Sequence, residues 1–97
     1  MLPKNRRPVH PGDIIRYEYL EPLNLTQQQL AKALGITRVR INEIILGKRS
    51  VTPDTAFRLA KFFNTTPDFW INLQINVDMW DTLQQHKNDY DKIRGVA

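Results

Sequence analysis

The 97-residue chain contains no cysteine, one serine, two histidines and four glycines. Without cysteine it can form no disulfide and no thiolate metal site. His10 and His86 are isolated, with no second ligand spaced for either, so no metal centre is read. There is no glycine-rich phosphate loop and no nucleophile elbow, and Ser50 has no histidine near it in sequence. These absences argue against an enzyme and imply no cofactor. No apolar run approaches the roughly 20 residues of a membrane span. The opening stretch, Met1–Pro8, is charged but lacks the apolar centre of a signal peptide. A cytoplasmic location is the expectation, with no membrane partner.

The charge is formally +4 and unevenly spread. Residues 1–61 hold eleven Lys/Arg against five acids, and residues 62–97 hold three against five. A basic first part suits a polyanion such as nucleic acid, whereas the acidic remainder would repel one. A short chain also buries little surface, so self-association would help it.

Five helices are read, with no strand pattern. Pro11-Gly12-Asp13 opens the first, with His10 placed to cap it and Pro22 to end it. Thr26 and Gln29 form a capping box for the second, and Gln27, Leu30, Ala31 and Leu34 follow at i, i+3, i+4, i+7. Thr37 caps the third, which ends at Gly47. Thr52-Pro53 and Thr66-Pro67 each pair an N-cap with proline at the first helical position. The fifth helix is expected to reach about Gln85 with the stripe Trp70, Leu73, Val77, Trp80. The domain reading is a flexible basic arm over 1–9, a folded unit over 10–85 and a polar tail over 86–97.

Helices two and three are joined only by Gly35, Ile36 and Thr37. So short a link makes them pack steeply. That packing needs a small residue at closest approach, a residue tolerant of positive φ in the turn, and apolar inner positions. Ala31, Gly35, and the set Leu30, Leu34, Ile36, Ile41 and Ile44 supply them. Residues 27–46 are therefore read as a helix-turn-helix, whose second helix enters the major groove.

With Ile41 turned inward, Val39, Glu43 and Leu46 point outward, Arg40 and Asn42 flank them, and Arg38 sits at the N-terminal rim. Arg38 or Arg40 matches guanine O6 and N7, Asn42 matches adenine, Val39 a thymine methyl and Glu43 cytosine N4. The same charges would also make an ordinary solvated helix face. Gln27 and Gln28 lie at the amide-rich start of helix two, an anion site, although Gln27 could equally bond locally. Lys48 and Arg49 read as phosphate clamps. Arg6 and Arg7 are either an arm along the backbone or a solvated tail. Trp70, Val77, Met79 and Trp80 are assigned to a two-fold dimer contact, with Trp70 also a core candidate. The reason is that a contiguous apolar patch is costly to expose and that two half-sites lie about 34–36 Å apart.

The run Leu25–Thr37 resembles the helix-turn-helix of lambda-Cro-type (XRE) repressors. The flanks His10-Pro11-Gly12-Asp13-Ile14, Arg40–Ile44, Gly47-Lys48-Arg49, Thr52–Ala60 and Phe69-Trp70-Ile71-Asn72-Leu73-Gln74 are similar to HigA antitoxins, also called VapI. The similarity covers about residues 8–82. It implies an all-α, five-helix lambda-repressor-like domain with an aromatic C-terminal helix. It also implies a homodimer that represses its own operon on double-stranded operator DNA, with Thr37 and the positions after it touching DNA. The implied toxin partner is of HigB type, a RelE-like mRNA endonuclease. A stand-alone regulator without a toxin, and an interaction module that has lost DNA binding, are the alternatives.

Overall fold

Each helix begins where a side chain takes up a free backbone amide. In the computed structural model, which describes residues 6–96, His10 Nδ1 accepts from the Gly12 amide at 3.0 Å and starts α1, Pro11–Ile14. The chain continues as a π-helical segment, Ile15–Leu20, whose wider turn brings Ile15 and Leu20 onto the buried side together. The complete Thr26/Gln29 capping box starts α2, Gln27–Leu34. Thr37 Oγ1 accepts from the Arg40 amide and starts α3, Arg38–Ile45. Thr52 and Thr66 start α4, Pro53–Phe63, and α5, Pro67–Asp91, in the same way. Gly35 at φ +72° ends α2 and Asn64 at φ +57° ends α4. No strand occurs among the described residues, and the all-α, five-helix expectation holds.

One core joins all five helices: Ile15, Leu30, Leu34, Ile41, Ile44, Val51, Ala56, Leu59 and Trp70. Trp70 is fully buried, and its indole N–H donates to Thr65 Oγ1 at 2.7 Å, so its one polar atom is satisfied. Tyr19 stacks on Phe63 at 4.0 Å between centroids, and Trp70 lies 5.9 Å from Tyr19. Trp70 and Val77, assigned above to a dimer contact, are both in this intramolecular core. Both lie on one helical stripe, and the surface that stripe covers belongs to their own chain.

The fifth helix runs six residues past Gln85. His86–Asp89 and Lys87–Asp91 pairs at 3.3 and 3.6 Å support the extension, and no proline or glycine interrupts it before Gly95. At 25 residues it is about 37 Å long. Everything from Thr82 to Val96 is exposed, so its last turns overhang the domain. No helix among the described residues is long and apolar enough to cross a membrane.

Gly12 is where α1 meets the end of α3. A Cβ there would lie closer than 3.0 Å to the carbonyl oxygens of both Ile44 and Ile45, and to the His10 ring. Backbone carbonyls at a helix end cannot swing aside as a side-chain tip can. Gly12→Ala should therefore cost about 2–3 kcal/mol and lower Tm by about 10 °C or more, read by urea and thermal unfolding. An unchanged midpoint would show that α1 can retreat from α3 freely.

Candidate nucleic-acid interface

The packing of α1, α2 and α4 buries Ile41, Ile44 and Ile45 and turns the other side of α3 to solvent. Arg38, Val39 and Asn42 border one shallow depression, with Val39 69% exposed. A larger groove runs between the start of α2 and the end of α3. Arg16, Thr26, Gln27, Asn42 and Leu46 are among its walls. Its cation, Arg16, stands 3.8 Å from Glu21 on the same wall, and the sequence gives no sign of it because only the fold brings it beside α2. The capping box takes up the Gln29 amide, leaving the earlier amides of α2 without intrahelical partners. Gln28 is exposed there. Gln27 is half-buried, and its buried Oε1 has no hydrogen-bond partner among the described residues. Thr37 is exposed while its hydroxyl caps α3.

Three of the expected contacts are engaged elsewhere. Arg40 does not lie on the open face. Its Nη2 donates to Thr55 Oγ1 on α4, and Asp54 Oδ2 is 3.7 Å away. Its Nε is buried without a partner among the described residues. Glu43, assigned to cytosine, instead accepts from Arg49 Nε at 3.0 Å, and that pair also occupies the assigned phosphate clamp Arg49. These corrections share one cause: helical phase places a Cβ, but long side chains go to the nearest partner, which the sequence does not show. Lys48 is exposed beside them, after Gly47 in a left-handed turn at φ +75°.

Behind this surface, Gln74 of α5 holds the loop that follows α3. Its Oε1 accepts from the Val51 amide at 2.9 Å, and its Nε2 donates to Asp78 at 2.9 Å. Its signal in the sequence is a polar residue inside the aromatic stretch 69–74. Residues 1–5 of the expected arm lie outside the described residues. Arg7 is no loose tail: its Nε and Nη2 donate to the two carboxylate oxygens of Asp81, each at 2.8 Å. Arg6 is exposed.

Two packed helices joined by a three-residue turn, with the outer side of the second open and amides and cations at its borders, define a helix-turn-helix DNA-binding domain. Known proteins agree. The helix-turn-helix family model matches residues 17–70, more than half of the chain. The uncharacterized HTH-type transcriptional regulator YbaQ of Escherichia coli (strain K12) is 49% identical over 81 residues, covering 84% of this chain and 72% of its own. Antitoxin HigA-1 of Vibrio cholerae is 37% identical over 89 residues, covering 92% of this chain and 84% of its own. The solved structure of Pseudomonas aeruginosa antitoxin HigA with higBA promoter has a TM-score of 0.89 at 30% identity, covering 94% of this chain and 100% of that one. The chain belongs to the helix-turn-helix family, and within it to the HigA-type antitoxins.

The Arg7 guanidinium holds the Asp81 carboxyl below its ordinary value of 3.8 by hydrogen bonding and, secondarily, by charge. Both groups are nearly half exposed, so solvent and salt screen the pair to at most about 1 kcal/mol. A depressed carboxylate stabilises the fold above its ordinary pKa and loses that contribution as pH falls through the lowered one. Carboxyl NMR titration should find Asp81 below 3.8 and should find it restored by Arg7→Ala. A value unmoved by that substitution would mean that the arm does not hold α5 in solution.

Proposed function

We propose that this chain is an antitoxin that represses its own operon as a dimer and neutralises a HigB-type, RelE-like mRNA endonuclease. It acts from the cytoplasm and has no catalytic role of its own. The observation that carries the DNA part is the open outer side of α3, exposed at Thr37, Arg38, Val39 and Asn42 in a HigA-type chain. In this reading Arg38 and Asn42 read base edges, Val39 meets a thymine methyl, and Thr37 sits at the groove's rim. Phosphates meet the first amides of α2 at Gln27 and Gln28 and the ammonium of Lys48. Arg49 contributes only if DNA draws it from Glu43. The likeness to HigA with its promoter supports the operator as the target. A stand-alone regulator is the second reading, favoured by the regulator name of YbaQ.

The dimer is assigned to α5. Ile75, Met79 and Leu83 are exposed and recur at four-residue intervals, so they form one apolar stripe beside half-buried Trp80. A soluble monomer gains by covering such a stripe, and a second copy presents the same one. Met79 is the most exposed of these. Met79→Asp should shift sedimentation at micromolar concentration toward the monomer, and a variant as dimeric as the wild type would move the interface off α5.

The test of function is co-expression with the neighbouring reading frame, followed by a mobility shift on the upstream DNA. Co-purification with a toxin that the chain silences supports the antitoxin reading, whereas DNA binding without any toxin partner supports the stand-alone regulator. Operator affinity should fall with salt at a log–log slope near −0.9 per phosphate contacted. Arg38→Ala should weaken binding by about 1–3 kcal/mol and relax preference at one base pair. An unchanged preference would remove Arg38 from base reading.

A further inference from the structure

The turn 35–37 joins α2 to α3 but leaves their mutual angle underdetermined, because three residues give a short hinge and not a brace. The bracing groups come from α4. Arg58 Nη1 donates to the carbonyl of Leu34, the last residue of α2, at 2.7 Å. Arg58 Nε donates to Asp54 Oδ2 at 3.0 Å. The same carboxylate oxygen lies 3.7 Å from Arg40 Nη2, in the first turn of α3. Arg40 also donates to Thr55 Oγ1, whose residue is fully buried and whose oxygen lies 3.2 Å from Thr52 Oγ1. One carboxylate of α4 thus joins the α4 guanidinium that caps the end of α2 to a guanidinium on the start of α3.

We propose that Arg40, Asp54 and Arg58 form a latch that fixes the tilt of α3 against α2, so that Arg40 serves operator binding as a positioning residue without touching DNA. The inference rests on the DNA-binding reading above. Its chemistry is favourable where it stands. A buried hydroxyl needs a partner, and a guanidinium can serve Thr55 and Asp54 at once from one planar fork. Moving Arg40 to a base edge would strip Thr55 of that donor and Asp54 of one of its two cations. Arg58 meanwhile caps a carbonyl that the end of α2 leaves without an intrahelical donor.

The test combines unfolding and operator binding. Arg40→Gln and Thr55→Val, singly and together, are unfolded by urea without DNA. Non-additive midpoints support the latch, and additivity within error overturns it. The same proteins, with Asp54→Asn as a surface variant that leaves the core untouched, are titrated with the operator and its single-base variants. The titrations run well below each Tm and across a salt series. Arg40→Gln should lose roughly tenfold in affinity and the more solvent-screened Asp54→Asn roughly threefold, each by the same factor for every base variant and with an unchanged salt slope. A purely structural role would lower the midpoint and leave affinity of the folded protein intact, which overturns the proposal. So would a loss confined to one base pair, or a slope shallower by about 0.9, since these mark a base or phosphate contact. If the wild type binds no operator DNA while the unfolding coupling persists, the DNA-binding reading fails and the proposed role on DNA falls with it.

Discussion

Two short helices joined by Gly35, Ile36 and Thr37 can read DNA only if the second is held at one angle to the first. The link itself is too short to stiffen and too irregular to hydrogen-bond into a ladder. Gly35 supplies the left-handed backbone that lets the chain reverse, and Thr37 restarts the helix. What else fixes the angle comes partly from the motif's own buried face and partly from the neighbouring helices. Ala31, Leu34, Ile41 and Ile44 bury the contact between the helices, while Arg58 of α4 takes the carbonyl at the end of α2. Gly12 of α1 comes so close to the end of α3 that no Cβ fits. The motif therefore depends on α1 and α4 as much as on its own residues.

The fifth helix divides along its length. Its first half completes the domain, with Trp70 and Val77 in the core and Gln74 holding the Val51 amide. Asp81 then receives Arg7, so the entry of the chain is tied to the same helix. Beyond it no described residue covers the helix, and exposed Met79 and Leu83 border the point where cover runs out. This division follows from size. The core of a small domain is filled before a 25-residue helix ends, and the surplus length must be solvated or shared with another molecule. All five acids of residues 62–97 fall on this helix, and two of them, Asp78 and Asp81, line one pocket with Arg7 and Arg49.

Features set by neighbouring residues were legible in the sequence. The threonine caps at 26, 37, 52 and 66 each need only an amide three residues on, so the sequence and the structure agree on all four. The apolar stripes of α2 and α4 were equally plain. Features that depend on a distant partner were not. Helical phase put Trp70 and Val77 on the right stripe of α5 but could not tell which molecule covers it. The widened turn at Ile15–Leu20 has no composition signal, and its effect appears only as Leu20 joins Ile15 inside. Arg40 and Glu43 were assigned by where their Cβ atoms point. The structure gives their charges to Thr55 and Arg49 instead.

That difference changes what the basic composition means. Between Arg38 and Arg49 the sequence offers four cations, but Arg40 is turned into α4 and Arg49 is paired with Glu43. Arg38 and Lys48 remain exposed on this stretch, with the amides at the start of α2 beside them. Each phosphate neutralised adds one increment to affinity, so the two exposed, unengaged cations of this stretch contribute few increments of their own. A second copy, engaging a half-site one helical turn away, doubles the increments without any new contact chemistry. In the proposed dimer the sparse cationic surface of α3 and the exposed apolar stripe of α5 would answer each other: a partner copy would strengthen the hold of the first, and the second would offer a place to seat it.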